Sequence, residues 1–131
     1  KCSPKSNDPD LTIVSYGGIA SDIFQELQEI FLETELIPEL IVLSSISPLD
    51  VGPIISSVKK TKKIIVIEEG GKEFGIGSEI LSRVSEELGN TLEIGKRIGA
   101  KGVPIPSARS MEDYVLPNNE IARNIKLELK I

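Results

Sequence analysis

Short apolar runs alternate with segments of helical periodicity along most of this chain. Four of the runs are rich in β-branched residues, which is typical of strands. They cover residues 11–16, 40–43, 64–67 and, with a weaker pattern, 92–98. The run at 40–43 is apolar throughout, and such a strand is usually buried on both faces of a sheet.

Between these runs, apolar residues recur every three or four positions, which predicts amphipathic helices. The first helix begins after Gly17 and Gly18 and ends before Pro38. The second opens at residues 48–50, with Asp50 as its expected N-cap, and ends in the lysine run 59–63. Two more helices are predicted over 77–88 and about 119–130, with a long loop over 99–118.

The predicted order is βαβαβαβ, a loop, and a final helix. Alternation of this kind indicates an α/β fold in three layers, α/β/α, with a mostly parallel sheet. The length of 131 residues fits one domain, which we assign to residues 10–131, after a linker or tail over residues 1–9. Only 4% of the residues are aromatic, so the core must be aliphatic.

Charge and composition exclude several classes of function. The formal net charge of -5 argues against a nucleic-acid-binding surface, which needs clustered basic residues. The chain contains no His, so Ser-His-Asp and Cys-His catalysis are excluded, and the single Cys2 leaves no disulfide and little basis for a metal site. We see no apolar run of membrane-spanning length and no signal-peptide pattern.

The glycine-rich stretch 70–77 lies between a predicted strand and a predicted helix, where phosphate-binding loops occur. It matches neither the Walker A pattern nor the dinucleotide fingerprint, whose third glycine position is here Ile80. We therefore favour a structural interpretation, in which Gly75 and Gly77 allow a tight turn and a close approach of the helix to the sheet. Gly89 is expected to end that helix as a left-handed C-cap.

Glu68 and Glu69 follow the most apolar strand, at the edge where ligands of parallel sheets bind. If the strand continues through them, their side chains point to opposite faces and do not form a catalytic pair. We expect one to cap the backbone that follows and the other to be solvated or paired at an interface. Residues 102–106 carry Pro104 and Pro106, which predict a rigid extended surface segment.

Together, several segments resemble one family, the C-terminal domain of transketolase-type enzymes, in the form found in β subunits of 2-oxo acid dehydrogenases. The resemblance covers essentially residues 10–130 and rests on five blocks in matching order. They are residues 10–17 (DLTIVSYG), 47–50 (SPLD), 67–80 (IEEG followed by FGIGSEI), 103–106 (VPIP) and 112–117 (EDYVLP).

This resemblance implies an assembly domain of an enzyme that decarboxylates a 2-oxo acid and passes the acyl group to lipoamide. Thiamine diphosphate and Mg²⁺ would be held by other domains of the full-length enzyme and not by this one, so the isolated domain would be inactive, with no catalytic residue. Its partners would be the preceding pyrimidine-binding domain, partner subunits and the dihydrolipoyl acyltransferase core. The location would be cytoplasmic, or the mitochondrial matrix in a eukaryote.

Eight residues are the interface candidates that follow from the resemblance. They are Glu68, Phe74, Gly75, Gly77, Glu93, Pro104, Pro106 and Ile131. Docking of the acyltransferase would involve the end of the last helix near Ile131, with Glu93 as a second candidate. Alternatives are the same domain of a transketolase or a 1-deoxyxylulose-5-phosphate synthase, a flavodoxin-like ligand-binding module, and a free-standing interaction protein.

Overall fold

The computed structural model describes residues 8–131, which form an α/β domain. Cys2 and most of the predicted tail lie outside the described residues. The elements in chain order are β1 (Leu11–Ser15), α1 (Ile19–Thr34), β2 (Pro38–Val42), α2 (Gly52–Thr61), β3 (Lys63–Gly71), α3 (Ile76–Leu88), a 3₁₀ turn (Gly89–Thr91), β4 (Ile94–Ala100), α4 (Arg109–Glu112) and α5 (Ile121–Leu129).

The four strands form one parallel sheet in the order β2-β1-β3-β4. The chain crosses from β1 to β2 on one side and then returns to place β3 on the other side of β1. Adjacent carboxyl ends at such a reversal form a crevice, which is the usual ligand-binding position in open α/β sheets. This architecture confirms the predicted fold class.

Each face of the sheet carries its own aliphatic core, because successive side chains of a strand point to opposite faces. On one face, Ile13 and Ile67 pack with residues of α1 and α5. On the other, Val14 and Val66 pack with residues of α2 and α3. The sheet is therefore covered on both sides, and the three predicted layers are present.

A buried polar cluster fixes α2 against the edge of the sheet. The Thr12 hydroxyl lies 2.8 Å from the hydroxyls of both Ser57 and Thr61. Ser57 also donates a hydrogen bond to a carboxylate oxygen of Glu39 in β2. Because buried hydroxyls are costly without partners, this cluster fixes where α2 sits along β1.

Two predicted helix ends differ from the structure. Val51, and not Asp50, is the N-cap of α2, and the Asp50 carboxylate instead accepts the Gly52 N–H at 2.9 Å. Gly89 has the expected positive φ of 52°, but its ψ of -130° is not left-handed helical, and the 3₁₀ turn follows.

Strand β3 is longer than the apolar pattern indicates and continues through Gly70 to Gly71. Its pairing with β4 shifts register between Ile67 and Gly71, which pairs with Ala100. A Cβ on Gly99 would lie 2.7 Å from the Gly70 carbonyl oxygen, so only glycine allows this close approach. Strand β4 accordingly ends at Ala100, two residues later than predicted, and the loop after it contains the short helix α4.

A candidate interface at the carboxyl edge of the sheet

Glu68 lies at the crevice between the carboxyl ends of β1 and β3. The parallel register pairs Ser15 with Ile67, which brings the next residue, Tyr16, beside Glu68. The Tyr16 hydroxyl donates to Oε2 of Glu68 at 3.5 Å. Glu68 is only 1% exposed, so a carboxylate is buried at the position where ligands of this architecture usually bind.

The two adjacent glutamates of β3 serve helices on opposite faces of the sheet. Oε1 of Glu69 accepts the backbone N–H of Ile19, the first residue of α1, at 2.9 Å. The Glu68 carboxylate faces the amino end of α3, where the amides of Ile76 and Gly77 favour its ionised form. Negative charge is stabilising at both helix ends because of the helix dipole. The predicted opposite orientation of the two side chains is confirmed.

Gly75 and Gly77 are small because Glu68 occupies the space beside them. A Cβ on Gly75 would lie 2.4 Å from Oε1 of Glu68, and a Cβ on Gly77 would lie 2.9 Å from the same oxygen. Neither glycine has a positive φ, so the close approach, and not backbone conformation, is what excludes a side chain. This agrees with the structural interpretation of the glycine-rich stretch.

Burial raises the pKa of Glu68 above its ordinary value. The Gly77 amide, the Tyr16 hydroxyl, the Ile76 amide and the positive charge of Arg97 each oppose that shift, in decreasing order. Among the described residues, Oε1 of Glu68 makes no well-aligned hydrogen bond, which leaves the desolvation of the carboxylate incompletely offset. Burial also raises the pKa of Tyr16, and the charges of Glu68 and Glu69 act in the same direction.

Arg97 of β4 ties the loop after β3 to the start of α3. Its Nη1 donates to the Lys72 carbonyl oxygen at 2.5 Å and also to the Ser78 hydroxyl. Its side chain also packs against the Gly77 position, where a Cβ would lie 3.3 Å from Cδ of Arg97. The loop from Lys72 to Gly75 is thus held at its start by Arg97 and at its end by the packing of Gly75 on Glu68.

This geometry gives a physical reason against phosphate binding at the crevice. Anions bind at helix amino ends because free amides and the helix dipole attract them. Here the amino ends of α1 and α3 already face carboxylates of the chain itself. A diphosphate placed there would meet like charges, so these residues do not fit a diphosphate-bearing cofactor.

Phe74 projects from the loop between β3 and α3. Its relative exposure is 103%, and its φ of 57° is uncommon for a residue that is not glycine. Beside it lies an open cleft of about 610 Å³, lined on one side by residues 71–73 and on the other by residues 99–105. Pro104 belongs to that cleft, whereas Pro106 lies just beyond it and is half-buried.

Glu93 does not belong to this cluster, whereas the end of α5, which precedes Ile131, lies near Lys72 of the adjoining loop. Glu93 precedes β4 at the opposite, amino edge of the sheet, where its carboxylate pairs with Lys62 at 3.8 Å and with Lys63 at 3.2 Å. Ile131 follows α5 and is 57% exposed. The structure therefore brings Glu68, Phe74, Gly75 and Gly77 together, places Pro104 at the adjoining cleft, and separates Glu93 from them.

Sequence reasoning missed Tyr16 and Arg97, which complete the surroundings of Glu68. For Tyr16 a signal exists, since it ends an apolar strand predicted to lie parallel to the strand that carries Glu68. Arg97 lies in the weakest predicted strand, and no pattern in the sequence assigns it a partner.

Within residues 8–131, we find no group of three or more His, Cys, Asp or Glu side chains arranged to hold a metal ion. Across the same residues, no helix combines the length and the apolar character needed to span a membrane.

Comparison with known proteins gives consistent matches over most of the chain. The family model for the transketolase C-terminal domain matches residues 1–121. The chain is 34% identical over 113 residues to the mitochondrial pyruvate dehydrogenase E1 component subunit beta of Chaetomium thermophilum, which covers 86% of this chain and 30% of the relative. It is 36% identical over 112 residues to the Pisum sativum protein of the same name, covering 85% and 31%.

A third relative of that name, from Saccharomyces cerevisiae, is 33% identical over 125 residues, covering 93% of this chain and 34% of its own length. The chain thus spans about a third of the length of the curated relatives it matches. Among solved structures, a split-gene transketolase described as an inactive beta4 tetramer superimposes with a TM-score of 0.72 at 20% identity. That match covers 95% of this chain and 40% of the transketolase chain, and it supports the fold.

Proposed function

This chain belongs to the transketolase C-terminal domain family, and from that membership we propose that it is an assembly domain. In this proposal it forms the C-terminal part of the decarboxylating component of a thiamine-diphosphate-dependent 2-oxo acid dehydrogenase, which transfers an acyl group to lipoamide. Curated relatives named as pyruvate dehydrogenase E1 subunit beta support the enzyme class. The isolated domain is proposed to be inactive.

One observation carries the assembly role. The crevice between β1 and β3 is filled by the carboxylate of Glu68, while Phe74, a few residues further along, is fully exposed. A catalytic or cofactor-binding crevice would be open, and an exposed aromatic side chain on a well-held loop is typical of a protein contact. We therefore propose that this edge packs against another part of the enzyme through Phe74, Gly75, Pro104 and Pro106, while the buried Glu68 and Gly77 support the loop that carries Phe74.

The cofactors of the proposed enzyme are thiamine diphosphate and Mg²⁺, held outside this chain. The proposed partners are the pyrimidine-binding domain, the other subunits and the dihydrolipoyl acyltransferase core, which we place near Ile131 or Glu93. Several relatives carry the word mitochondrial in their names, which supports a matrix location if the source is a eukaryote and a cytoplasmic one otherwise.

A second candidate is the same domain in a transketolase, which the structural match to a transketolase favours. The two readings share the fold and the assembly role and differ in substrate. The higher identity, 34% to 36% over more than 110 residues, is to pyruvate dehydrogenase subunits and supports the 2-oxo acid enzyme.

The first test is the intact mass of the native gene product and of any subunit that purifies with it from source cells. The proposal predicts a product well above 14.2 kDa, or stable co-purification with larger subunits that carry thiamine diphosphate. A product of that mass, purified free of any larger subunit, would overturn it.

A thermal-shift screen of the 131-residue chain separates the assembly role from the ligand-binding alternative. Ligands that bind the native state raise the melting temperature. We expect no shift with flavin mononucleotide, nucleotides or thiamine diphosphate with Mg²⁺. A saturable shift with a flavin or a nucleotide would instead support a flavodoxin-like binding module.

A further inference from the structure

Helix α1 carries an exposed apolar strip that no other part of the described chain covers. The strip consists of Phe24, Phe31 and Leu32, which are 55%, 45% and 63% exposed. The two phenylalanines are seven residues apart, which places them on the same side of a helix, about 10 Å apart along its axis. Large exposed apolar side chains that adjoin one another, unlike scattered ones, mark an interaction surface.

This α1 strip lies on the flank of the helix that is turned away from α5. Glu26 accepts the backbone N–H of Ala122 at 3.1 Å. Glu33 pairs with Lys126 at 3.0 Å, so the flank with these two glutamates contacts α5. Each phenylalanine of the strip precedes one of the glutamates by two residues, and two residues turn a helix by about 200°. The strip therefore faces the β2 edge of the sheet and stays clear of α5.

The edge strand β2 adds one apolar side chain on the same side of the sheet. Val42 is 48% exposed at the end of β2. Leu40, two residues earlier, packs in the same core as α1, and side chains two apart on a strand point to the same face. Addition of a partner strand at this edge is disfavoured, because Pro38 at the start of β2 has no N–H to donate.

The excess negative charge of the whole chain lies on α1 and its C-cap. Residues 19–35 contain five acidic side chains and no basic one. The complete chain contains 20 acidic and 15 basic residues, so the remainder is balanced. Two of the five acidic residues are those that contact α5. The others form no ion pair within the described part of the chain and are Asp22, Glu29 and Glu35.

An apolar strip bordered by carboxylates is selective about what can cover it. A nucleic acid or an anionic membrane surface would be repelled by the acidic border. A second copy of the chain would bring the same carboxylates opposite one another in a two-fold contact. A helix with lysine or arginine residues beside an apolar face is complementary to both the strip and its charged border.

We propose that the α1 strip binds a positively charged amphipathic helix of another polypeptide. The apolar face of that helix would pack on Phe24, Phe31 and Leu32, and its basic residues would face Asp22 and Glu29. None of the eight interface candidates belongs to this surface. The inference therefore goes beyond the contact proposed for the carboxyl edge of the sheet and adds a second partner surface.

Fluorescence anisotropy of the 131-residue chain with a synthetic peptide tests this complementarity. The probe is a labelled helix of about 18 residues with leucines on one face and lysines on the other. We expect a dissociation constant of about 1–100 µM, weakened at least about fivefold when the ionic strength rises from about 0.05 to 0.5 M. A peptide of the same composition, permuted so that no apolar face forms, should bind at least about fivefold more weakly.

Variants of the chain locate the binding site. Phe31→Ala should weaken binding at least about fivefold, as loss of an interface aromatic does, whereas Tyr114→Ala removes an exposed ring elsewhere and should have no effect. Glu29→Lys should weaken binding and reduce its salt dependence. Glu86→Lys makes the same change in net charge on α3, across the sheet, and should not. These positions are exposed, so the melting temperatures should change by no more than about 3 °C.

Photo-crosslinking in the native assembly identifies the occupant. A photoreactive benzoylphenylalanine would replace Gln28, an exposed residue between the two phenylalanines of the strip. We expect a cross-link to another polypeptide, in a segment that mass spectrometry shows to be positively charged with apolar residues every three or four positions. The same group in place of Glu86 should not give that cross-link.

Equal affinity of the peptide for the wild-type chain and the Phe31→Ala variant, or equal binding of the permuted peptide, would overturn the inference. So would a cross-link from position 28 to lipid, to a second copy or to an acidic segment, or the absence of any cross-link. None of these results would touch the proposed function, whose own test is the mass and co-purification of the native product. Failure of that test would in turn leave the peptide binding of α1 unchanged.

Discussion

Gly75→Ala probes the packing of Glu68 against the start of α3. The added methyl group would lie 2.4 Å from Oε1 and 2.7 Å from Cδ of Glu68. Those atoms belong to a side chain that is 1% exposed and packed at the centre of the crevice, so they have little room to move away. The backbone of Gly75, with φ -74° and ψ 162°, is extended and suits alanine, so steric crowding is the only new cost.

The expected loss of stability follows from two opposing effects. Overpacking a buried site costs about 1–3 kcal/mol. Replacing glycine by alanine where the backbone permits it recovers about 0.4–1 kcal/mol through the unfolded chain. The net decrease in the free energy of unfolding is therefore about 0–2.6 kcal/mol, with a midpoint of about 1.3 kcal/mol, which lowers the melting temperature of a chain of this size by up to roughly 10 °C.

Urea unfolding followed by circular dichroism measures this difference, with Gly70→Ala as the matched control. Gly70 lies in β3 with no atom within 4 Å of its Cβ position, so alanine there should be neutral or slightly stabilising. Combining Gly75→Ala with Glu68→Ala completes a double-mutant cycle, and removal of the obstructing carboxylate should leave a coupling energy of about 1 kcal/mol or more. Equal stability of the Gly75→Ala and Gly70→Ala variants would refute the packing described for Glu68.

Three further predictions concern Glu68, Ile125 and Glu93. Burial raises the pKa of Glu68 in the folded protein above its ordinary value of 4.5. Between these two pKa values the native state holds a proton that the unfolded chain has released, so the free energy of unfolding falls as the pH rises from the unfolded pKa through the folded pKa. Glu68→Gln should remove that fall in urea unfolding between about pH 4 and 8, and an unchanged slope would contradict it. Ile125→Ala should cost about 2–5 kcal/mol, because Ile125 is fully buried where α5 meets the sheet; a loss below about 1 kcal/mol by the same method would show that α5 is loosely packed. Glu93→Ala removes exposed ion pairs with two lysines and should cost less than about 1 kcal/mol; a larger loss would mean the pairs are structural.

The layer arrangement could be predicted because hydrophobic periodicity records burial directly. The runs at 64–67 and 40–43 both lie in strands as predicted, but only residues 64–67 are fully buried. In the edge strand β2, Val42 is 48% exposed, so the expected burial of 40–43 on both faces is not complete. Element ends were less accurate because they depend on local partners. The N-cap of α2 is Val51, one residue after the predicted Asp50. Strand β3 runs on to Gly71, where Gly99 allows the neighbouring strand to approach closely.

The candidate site could be predicted in part. Strand geometry alone predicts the opposite orientation of the Glu68 and Glu69 side chains. Because residues 70–77 match no phosphate-binding motif, the sequence also predicts that Gly75 and Gly77 are required for close packing. The sequence does not show that Glu68 is what those glycines pack against, since residues 68 and 75 meet only when α3 folds back on the sheet. The role of Arg97 depends on the register of β4, which the weak apolar pattern of that strand leaves open.

The most direct test of the proposed function is the reaction catalysed by the native assembly that contains this chain. An antibody to the chain would isolate that assembly, and release of CO₂ from 2-oxo acids would be measured with and without added thiamine diphosphate. We predict release that requires thiamine diphosphate and is absent from the isolated 131-residue chain. An intact assembly that releases no CO₂ from any 2-oxo acid, or that instead transfers two-carbon units between sugar phosphates, would contradict the assignment to a 2-oxo acid dehydrogenase.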